Sequence, residues 1–170
     1  MTAAPVNTGN GGRQVDDATW AGEARASLAE HDAELARRFD AGEDIDRLLA
    51  GRVNAVDAHV RQAWARCIPT EAPLALFAVG GYGRGELFPG SDIDLLVLVE
   101  DGAPVDCADA LARLFALLWD AGLPVGHAVR SAQECTRMAA DDITVQTSLQ
   151  EARPLLASLG EVRQLNEAIS

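Results

Sequence analysis

Basic residues and aromatic residues are both scarce in this chain. Its 170 residues include 14 Lys and Arg against 26 Asp and Glu, which gives a formal net charge of −12, and only 5% are aromatic. A protein that binds nucleic acid normally presents a basic face, so we do not expect a polynucleotide partner. A small phosphate-bearing ligand is compatible with this acidity if metal ions and a few positioned donors neutralise it locally.

Long apolar runs and paired cysteines are also missing. The longest apolar run, at residues 95–99, is far shorter than the ~20 residues that span a membrane. The N-terminus has no basic segment followed by an apolar one, as a secretory signal would. Cys67, Cys107 and Cys135 are far apart and form no metal-ligand or redox spacing. We therefore expect a cytoplasmic protein with reduced thiols and no membrane association.

The rest of the composition is that of a folded protein, with 48% apolar and 24% charged residues. Residues 1–15 are rich in Gly, Asn, Thr and Ala without an apolar period, and predict a disordered leader. Residues 16–170 predict a single domain, because the chain is too short for two comfortable ones. Within it, two helices over residues 16–69 precede a core over residues 73–157.

The residue pattern of the core predicts both strands and helices. Short, branched apolar runs indicate strands, and apolar residues at three- and four-residue spacings indicate helices. The predicted strands cover residues 74–79, 93–99, 125–130 and 153–157, and the predicted helices cover 105–119, 132–139 and 143–149. This order predicts an α/β fold with a mixed sheet flanked by helices. The loop between the first two strands then lies at one end of the sheet.

That loop, "GGYGRGELFPGSDID" at residues 80–94, is rich in glycine and closes on two acids. Asp92 and Asp94 stand two apart at the start of a strand, so their side chains project to one face. Acids at a strand start are often only solvated loop residues. Two carboxylates this close repel each other unless a cation lies between them. Because Mg²⁺ prefers a few carboxylates supplemented by water and phosphate oxygens, the pair predicts a magnesium site.

The other residues of the loop are suited to binding phosphate. Gly80 and Gly81 lack side chains, so backbone N–H groups there can approach a triphosphate closely. Arg84 offers a forked set of donors and Ser91 a small hydroxyl. Taken singly, the glycines have a structural reading as a turn and Arg84 as a surface ion pair. The loop has no Gly-Lys-Ser/Thr ending and opens a strand, which excludes the two common nucleotide fingerprints.

The segment "AVGGYGRGELFPGSDIDLLVLV" resembles the catalytic segment of the bacterial PII uridylyltransferase/uridylyl-removing family of nitrogen control. That family is placed in the DNA polymerase β superfamily by a glycine turn followed by Asp-x-Asp on the next strand. The resemblance covers about half of the chain, roughly residues 74–156. It implies a nucleotidyltransferase fold and Mg²⁺-dependent transfer of UMP from UTP to a tyrosine of the signalling protein PII, with release of pyrophosphate.

The resemblance also implies a role for individual residues. Asp92 and Asp94 correspond to the catalytic metal ligands, and Gly80, Gly81 and Ser91 to residues that contact the nucleotide phosphates. Arg84 belongs to the same motif as a nucleotide-binding residue.

A third carboxylate, common in the superfamily on a later strand, has no clear equivalent in this sequence. The matching strand carries Gly126 and His127 instead, and His127 has either a ligand or a structural role. Asp141 and Asp142 follow at a predicted helix start, where capping is the favoured role. We therefore expect a site with two carboxylates.

Several properties of the family are not expected in these residues. The full family enzyme continues into an HD-type phosphohydrolase domain and two ACT domains. We expect neither in this chain, and the dipeptide His31-Asp32 is predicted to face solvent on a helix. The residues do not read the base, so an adenylyltransferase-type enzyme on the same fold stays open, as does a non-catalytic nucleotide-binding or regulatory module. Oligomeric state and the PII docking surface also stay open.

Overall fold

The computed structural model describes residues 9–100 and 107–170, and the predicted mixed sheet flanked by helices is confirmed. The described helices are α1 (Gly9–Asp40), α2 (Ile45–Cys67), α3 (Gly80–Gly83), α4 (Ala108–Asp120), α5 (Ala132–Asp141), α6 (Ile143–Gln150) and α7 (Leu159–Ala168). The described strands are β1 (Leu74–Val79), β2 (Ile93–Val99), β3 (Val125–Ser131) and β4 (Arg153–Leu156). None of the helices in these two ranges is long and apolar enough to cross a membrane.

The start of the first helix differs from the sequence prediction. Residues 9–15, assigned above to a disordered leader, form the first two turns of α1. Composition alone was misleading, because each glycine costs a helix only about 1 kcal/mol relative to alanine and extending an existing helix is easier than nucleating one. Residues 1–8 of the predicted leader lie outside the described residues. Residue 105, the predicted start of the helix that corresponds to α4, lies outside them as well. The single domain over residues 16–170 stays a prediction.

Helix α2 is fixed by a cap at its start and a buried apolar stripe along its length. The Asp44 side chain accepts a hydrogen bond from the Asp46 N–H, and the helix ends just before Ile68 and Pro69. Its buried apolar face consists of Leu48, Leu49, Val53, Val56, Val60, Ala63 and Trp64. The apolar side chains of this stripe recur at three- and four-residue spacings, so α2 packs as a core helix.

An ion pair joins α2 to α1 at the dipeptide predicted to face solvent. Asp32 accepts hydrogen bonds from Arg52 Nε at 2.8 Å and Nη2 at 3.3 Å, and the Arg52 side chain is buried. His31 is half-buried beside it. The solvent-facing prediction was therefore wrong, because a buried cation on α2 requires the Asp32 carboxylate as its partner.

The sheet has the strand order β3-β2-β1-β4 and is covered on both faces. β1 pairs antiparallel with β2 and with β4, whereas β2 and β3 are parallel. One face packs against a core that includes residues of α1, α2 and α4, such as Leu28, Val60 and Leu114. The other face packs against residues of α5, α6 and α7, such as Cys135, Leu149 and Leu165. Burial on both faces explains why β1 and the body of β2 are continuously apolar.

This topology brings four chain segments to one end of the sheet. Val79, the last residue of β1, pairs with Asp94 near the start of β2. Because β2 and β3 are parallel, Asp94 also pairs with Gly126 near the start of β3. Ala78 pairs with Arg153 at the start of β4. The glycine-rich loop therefore meets the starts of β2, β3 and β4 at this end.

Candidate active site

The two aspartates lie at the start of β2 and point away from the core. Ile93 between them is fully buried, whereas Asp92 and Asp94 are both exposed. Asp94 lies on the sheet face that carries Leu96, opposite to the face of Ile93. Alternation along the strand produces this arrangement, as the spacing predicted.

Two glycines make room for the Asp94 carboxylate. At Gly80, whose φ of +60° suits glycine, an added Cβ would lie 3.0 Å from Asp94 Oδ2. At Gly126 an added Cβ would lie 2.5 Å from Asp94 Oδ1, closer than such atoms can approach. The carboxylate thus lies between two stretches of bare backbone. Sequence reasoning missed this role of Gly126, because it depends on the register of β3 against β2, which places Gly126 opposite Asp94.

The electrostatic environment of Asp94 disfavours its charged form. Although Asp94 is an exposed residue, partial burial of its carboxyl, and then the neighbouring charge of Asp92, raise the pKa of that carboxyl above its usual value. Within the described residues, no cationic side chain opposes this rise in the pKa. A bound cation would remove the penalty.

The glycine loop folds as one short helical turn followed by a tight turn. In the first, the Arg84 N–H donates to the Gly80 carbonyl and the Glu86 N–H to the Gly81 carbonyl, at 3.0 and 2.9 Å. In the second, Pro89 and Gly90 occupy the corners, Gly90 has a φ of +82°, and the Ser91 N–H donates to the Phe88 carbonyl. These features define a type II turn. The turn delivers Ser91 directly to the start of β2, beside Asp92.

Gly83 allows the loop to lie against the sheet. An added Cβ there would lie 2.5 Å from the Glu151 carbonyl oxygen and 2.8 Å from that of Ala78. Tyr82 beside it is buried, whereas Phe88 is exposed. Of the two aromatic residues of the loop, therefore, Tyr82 anchors it to the domain.

Arg84 is part of the loop, and its guanidinium donates hydrogen bonds to carboxylates. Its Nε donates to Glu86 at 3.2 Å and its Nη1 to Glu151 at 2.6 Å. Its Nη2 lies 3.5 Å from the position of a Cβ added at Gly81. Arg84 is therefore ion-paired in the structure, as one of its two sequence interpretations predicted. Its side chain lies close to Gly81, which the sequence assigns to phosphate binding.

The two residues considered for a third ligand do not join the aspartates. His127 pairs with Leu95 and stacks on Phe115 at 3.8 Å between ring centroids, so it lies on the opposite face of the sheet from Asp94. Asp142 accepts a hydrogen bond from the Thr144 N–H at 2.8 Å and caps α6. Within residues 9–100 and 107–170, no group of three or more His, Cys, Asp and Glu side chains is arranged to hold a metal ion. Of the residues that the structure describes, Asp92 and Asp94 are the candidate ligands that come together at the start of β2.

Two aspartates at the start of β2 thus lie beside the glycine-rich turn that follows β1. A family model described as "Nucleotidyltransferase domain" matches residues 60–150, which is more than half of the chain. The chain therefore belongs to the nucleotidyltransferase domain family.

The similar proteins carry a more specific name than the family model does. An enzyme of Xanthomonas campestris pv. campestris (strain B100), named bifunctional uridylyltransferase/uridylyl-removing enzyme, is 56% identical over 170 residues, which are 100% of this chain and 19% of the relative. Enzymes of the same name in Xanthomonas axonopodis pv. citri (strain 306) and Pseudomonas putida (strain W619) are 52% and 48% identical, over 100% and 71% of this chain and 19% and 14% of their own. The predicted resemblance to this family is confirmed. The chain spans about a fifth of the length of the Xanthomonas relatives.

Proposed function

We propose that this chain is the nucleotidyl-transferring part of an enzyme that moves UMP from UTP to a tyrosine hydroxyl of the PII signalling protein. The observation that carries the proposal is the Asp92 and Asp94 pair, held at the start of β2 against the glycine loop. The choice of UTP is supported by the names of the relatives. The choice of PII is supported by the resemblance of residues 74–156 to the PII-modifying family.

The residues present fit a divalent cation such as Mg²⁺. Asp92 and Asp94 supply hard oxygen ligands on one side of the strand start, and Mg²⁺ takes its remaining ligands from water and phosphate. Bare backbone at Gly80 and Gly126 leaves the Asp94 carboxylate unobstructed by neighbouring side chains. When bound there, Mg²⁺ supplies positive charge beside the reacting phosphate and the attacking hydroxyl.

The remaining residues of the loop bind and orient the nucleotide. Backbone N–H groups at Gly80 and Gly81 and the Ser91 hydroxyl donate to phosphate oxygens. The Arg84 guanidinium turns one N–H edge away from Glu151 and donates from it to the phosphates. The reaction forms a bond between the tyrosine oxygen and the α-phosphorus and breaks the bond from the α-phosphorus to the bridging oxygen. Pyrophosphate leaves and the hydroxyl proton passes to solvent. Positioning and electrostatics supply the catalysis.

The proposal is tested by incubating the 170-residue chain with PII, Mg²⁺ and radiolabelled UTP, ATP, CTP or GTP. Label transferred to PII from UTP alone supports it. Transfer from ATP would instead assign the chain to the adenylyl-transferring enzymes of the same fold. Binding of Mg·UTP without transfer from any of the four nucleotides would contradict the catalytic proposal and favour a nucleotide-binding module.

Two variants make the assay specific to the site. Asp94→Asn removes one proposed metal ligand while keeping the size of the side chain, and is expected to abolish transfer. Asp40→Asn removes the same charge from an exposed position at the end of α1, and is expected to retain full transfer. Equal activity of the two variants would contradict the role of Asp94.

A further inference from the structure

A set of three side chains, of which Asp57 and Tyr82 are buried and Arg153 is partly buried, attaches the glycine loop to the rest of the domain. Tyr82 Oη donates to Asp57 Oδ1 at 2.5 Å, and Arg153 Nη1 donates to Asp57 Oδ2 at 2.7 Å. Arg153 Nη2 donates to Asp57 Oδ1 at 3.1 Å and to the Tyr82 carbonyl oxygen at 3.3 Å. The set joins α2, the glycine loop and β4, three segments that are remote in sequence.

Each member of the set depends on the other two. Asp57 and Tyr82 are 4% and 1% exposed, so a carboxylate and a phenol have left water and require partners inside the protein. The Arg153 guanidinium lies 5.2 Å from the centroid of the Tyr82 ring and adds a cation–π contact. Burial and the hydrogen bond to Asp57 raise the pKa of the Tyr82 phenol above its ordinary value, so the phenol stays a donor.

The attachment acts on the part of the loop that faces the nucleotide. Tyr82 lies in the turn Gly80–Gly83, directly after the two glycines assigned to phosphate binding. Arg153 contacts both the side chain and the main chain of Tyr82. The Glu151 carbonyl, two residues before Arg153, lies against Gly83. The start of β4 and Asp57 therefore hold the turn on the side of Tyr82 and Gly83, whereas Gly80 and Gly81 are partly exposed.

We propose that Asp57 is a positioning residue of the transfer reaction. Through Tyr82 and Arg153, it keeps Gly80 and Gly81 in the conformation that binds the nucleotide phosphates. It contacts no reacting atom, and it lies on α2, 23 residues before the loop begins at Gly80. The inference rests on the proposed function for the identity of the ligand, but the holding of the loop is a property of the free protein and can be measured separately.

A second partly buried aspartate–arginine pair in the chain serves as a control. Asp32 and Arg52 join α1 to α2 by two hydrogen bonds, with a buried guanidinium and, as for Arg153, one nitrogen of it lacking a partner within the described residues. Neither residue is hydrogen-bonded to the glycine loop in that part of the chain. Asp57→Asn and Asp32→Asn therefore both weaken a partly buried aspartate–arginine pair, and of the two only Asp57 is hydrogen-bonded to the glycine loop.

Hydrogen–deuterium exchange of the whole 170-residue chain, without nucleotide, tests the holding of the loop. The two variants are compared under conditions equally far from their own unfolding midpoints. We then expect peptides that cover residues 80–91 to exchange faster in Asp57→Asn than in Asp32→Asn. Tyr82→Phe, which keeps the ring and the Asp57–Arg153 pair, is expected to show a smaller increase in the same peptides. It supplies the comparison if Asp57→Asn does not fold.

Steady-state measurements of KM and kcat test the effect of Asp57→Asn on the reaction. In Asp57→Asn the KM for UTP is expected to rise about tenfold, the order of one lost hydrogen bond to a charged group, with a smaller change in kcat. Asp32→Asn is expected to keep the wild-type KM. Loop exchange and KM equal in the two aspartate variants would overturn the inference. If the wild-type chain transfers no nucleotide, the proposed function fails, and loop exchange alone decides the role of Asp57.

Discussion

The Asp94 carboxylate lies against the backbone of Gly126, so closely that a Cβ at residue 126 would be 2.5 Å from Oδ1. The two residues are paired across the parallel strands β2 and β3. A larger residue opposite Asp94 would therefore displace the Asp94 carboxylate, whereas the backbone conformation does not require glycine there, because Gly126 is not among the glycines with positive φ.

Replacement of Gly126 by alanine is expected to reduce transfer strongly while the protein stays folded. The added methyl group displaces the Asp94 carboxylate, and a displacement of about 1 Å at a catalytic group costs on the order of a hundredfold in rate. Transfer of labelled UMP measures the effect. Gly51→Ala, where nothing lies within 4 Å of the added Cβ on α2, is the control. It should keep activity and gain about 0.5–1 kcal/mol of stability. Wild-type activity in Gly126→Ala would contradict the prediction.

Asp94→Asn is expected to raise the thermal stability of the metal-free protein at neutral pH. The pKa of Asp94 is raised in the folded protein, so the folded state binds a proton there more readily than the unfolded chain does. The charged group therefore lowers the free energy of unfolding above its folded pKa, and has no such effect well below the ordinary pKa. The stability difference between variant and wild type should shrink as the pH falls through the folded pKa.

Thermal unfolding in EDTA and in excess Mg²⁺, over a series of pH values, measures this difference. In Mg²⁺ the order should reverse, because ligand binding stabilises only the protein that retains both carboxylates. A lower midpoint for Asp94→Asn in EDTA at pH 7 would show that the carboxylate has a stabilising partner.

Gly83→Ala is expected to destabilise the protein by about 1–3 kcal/mol, the usual cost of overpacking. Its added Cβ meets the carbonyl oxygens of Glu151 and Ala78, which are backbone atoms and cannot rotate away. Gly85→Ala is a matched change in the same loop, where φ is +79° and nothing lies within 4 Å. It should cost about 1–2 kcal/mol from the left-handed conformation alone and leave the packing of the loop intact. Chemical denaturation compares the two, and a larger loss in Gly85→Ala would contradict the packing role of Gly83.

Glu151→Gln is expected to lower the KM for UTP. Glu151 holds Arg84 Nη1 at 2.6 Å and competes with phosphate for that donor. Arg84 is exposed and Glu151 is partly exposed, so loss of this pair should change the unfolding midpoint little. Steady-state kinetics against UTP concentration provides the measurement. A higher KM would mean that Glu151 orients Arg84 toward the phosphates instead of withholding it.

The sequence predicted the parts of the site that are local in the chain. The strands Leu74–Val79 and Ile93–Val99 have the predicted bounds, and Asp92 and Asp94 project together. Apolar runs and two-residue spacing are local signals, so they can be read without knowing which strands pair. The capping role of Asp142 was predicted for the same reason.

The parts that depend on pairing and packing were not predictable in the same way. The face that His127 occupies follows from its register with Leu95, which the sequence of β3 does not fix. Asp57 and Arg153 are 96 residues apart and meet only because β4 adds to the edge of β1. The early start of α1 depends on propagation from its packed part, whereas composition indicated a leader.

The meeting of four segments at one end of the sheet has a consequence for how the protein folds. The loop between β1 and β2 can form early, because the two strands are close in sequence and short loops close quickly. The contact between the loop and Arg153 forms only when β4 pairs with β1 at the edge of the sheet. Contacts between residues so far apart in sequence form slowly. We therefore expect the loop to acquire its native conformation in the last folding step. Affinity for nucleotide should then appear together with the complete sheet, and later than the bulk of the helix signal.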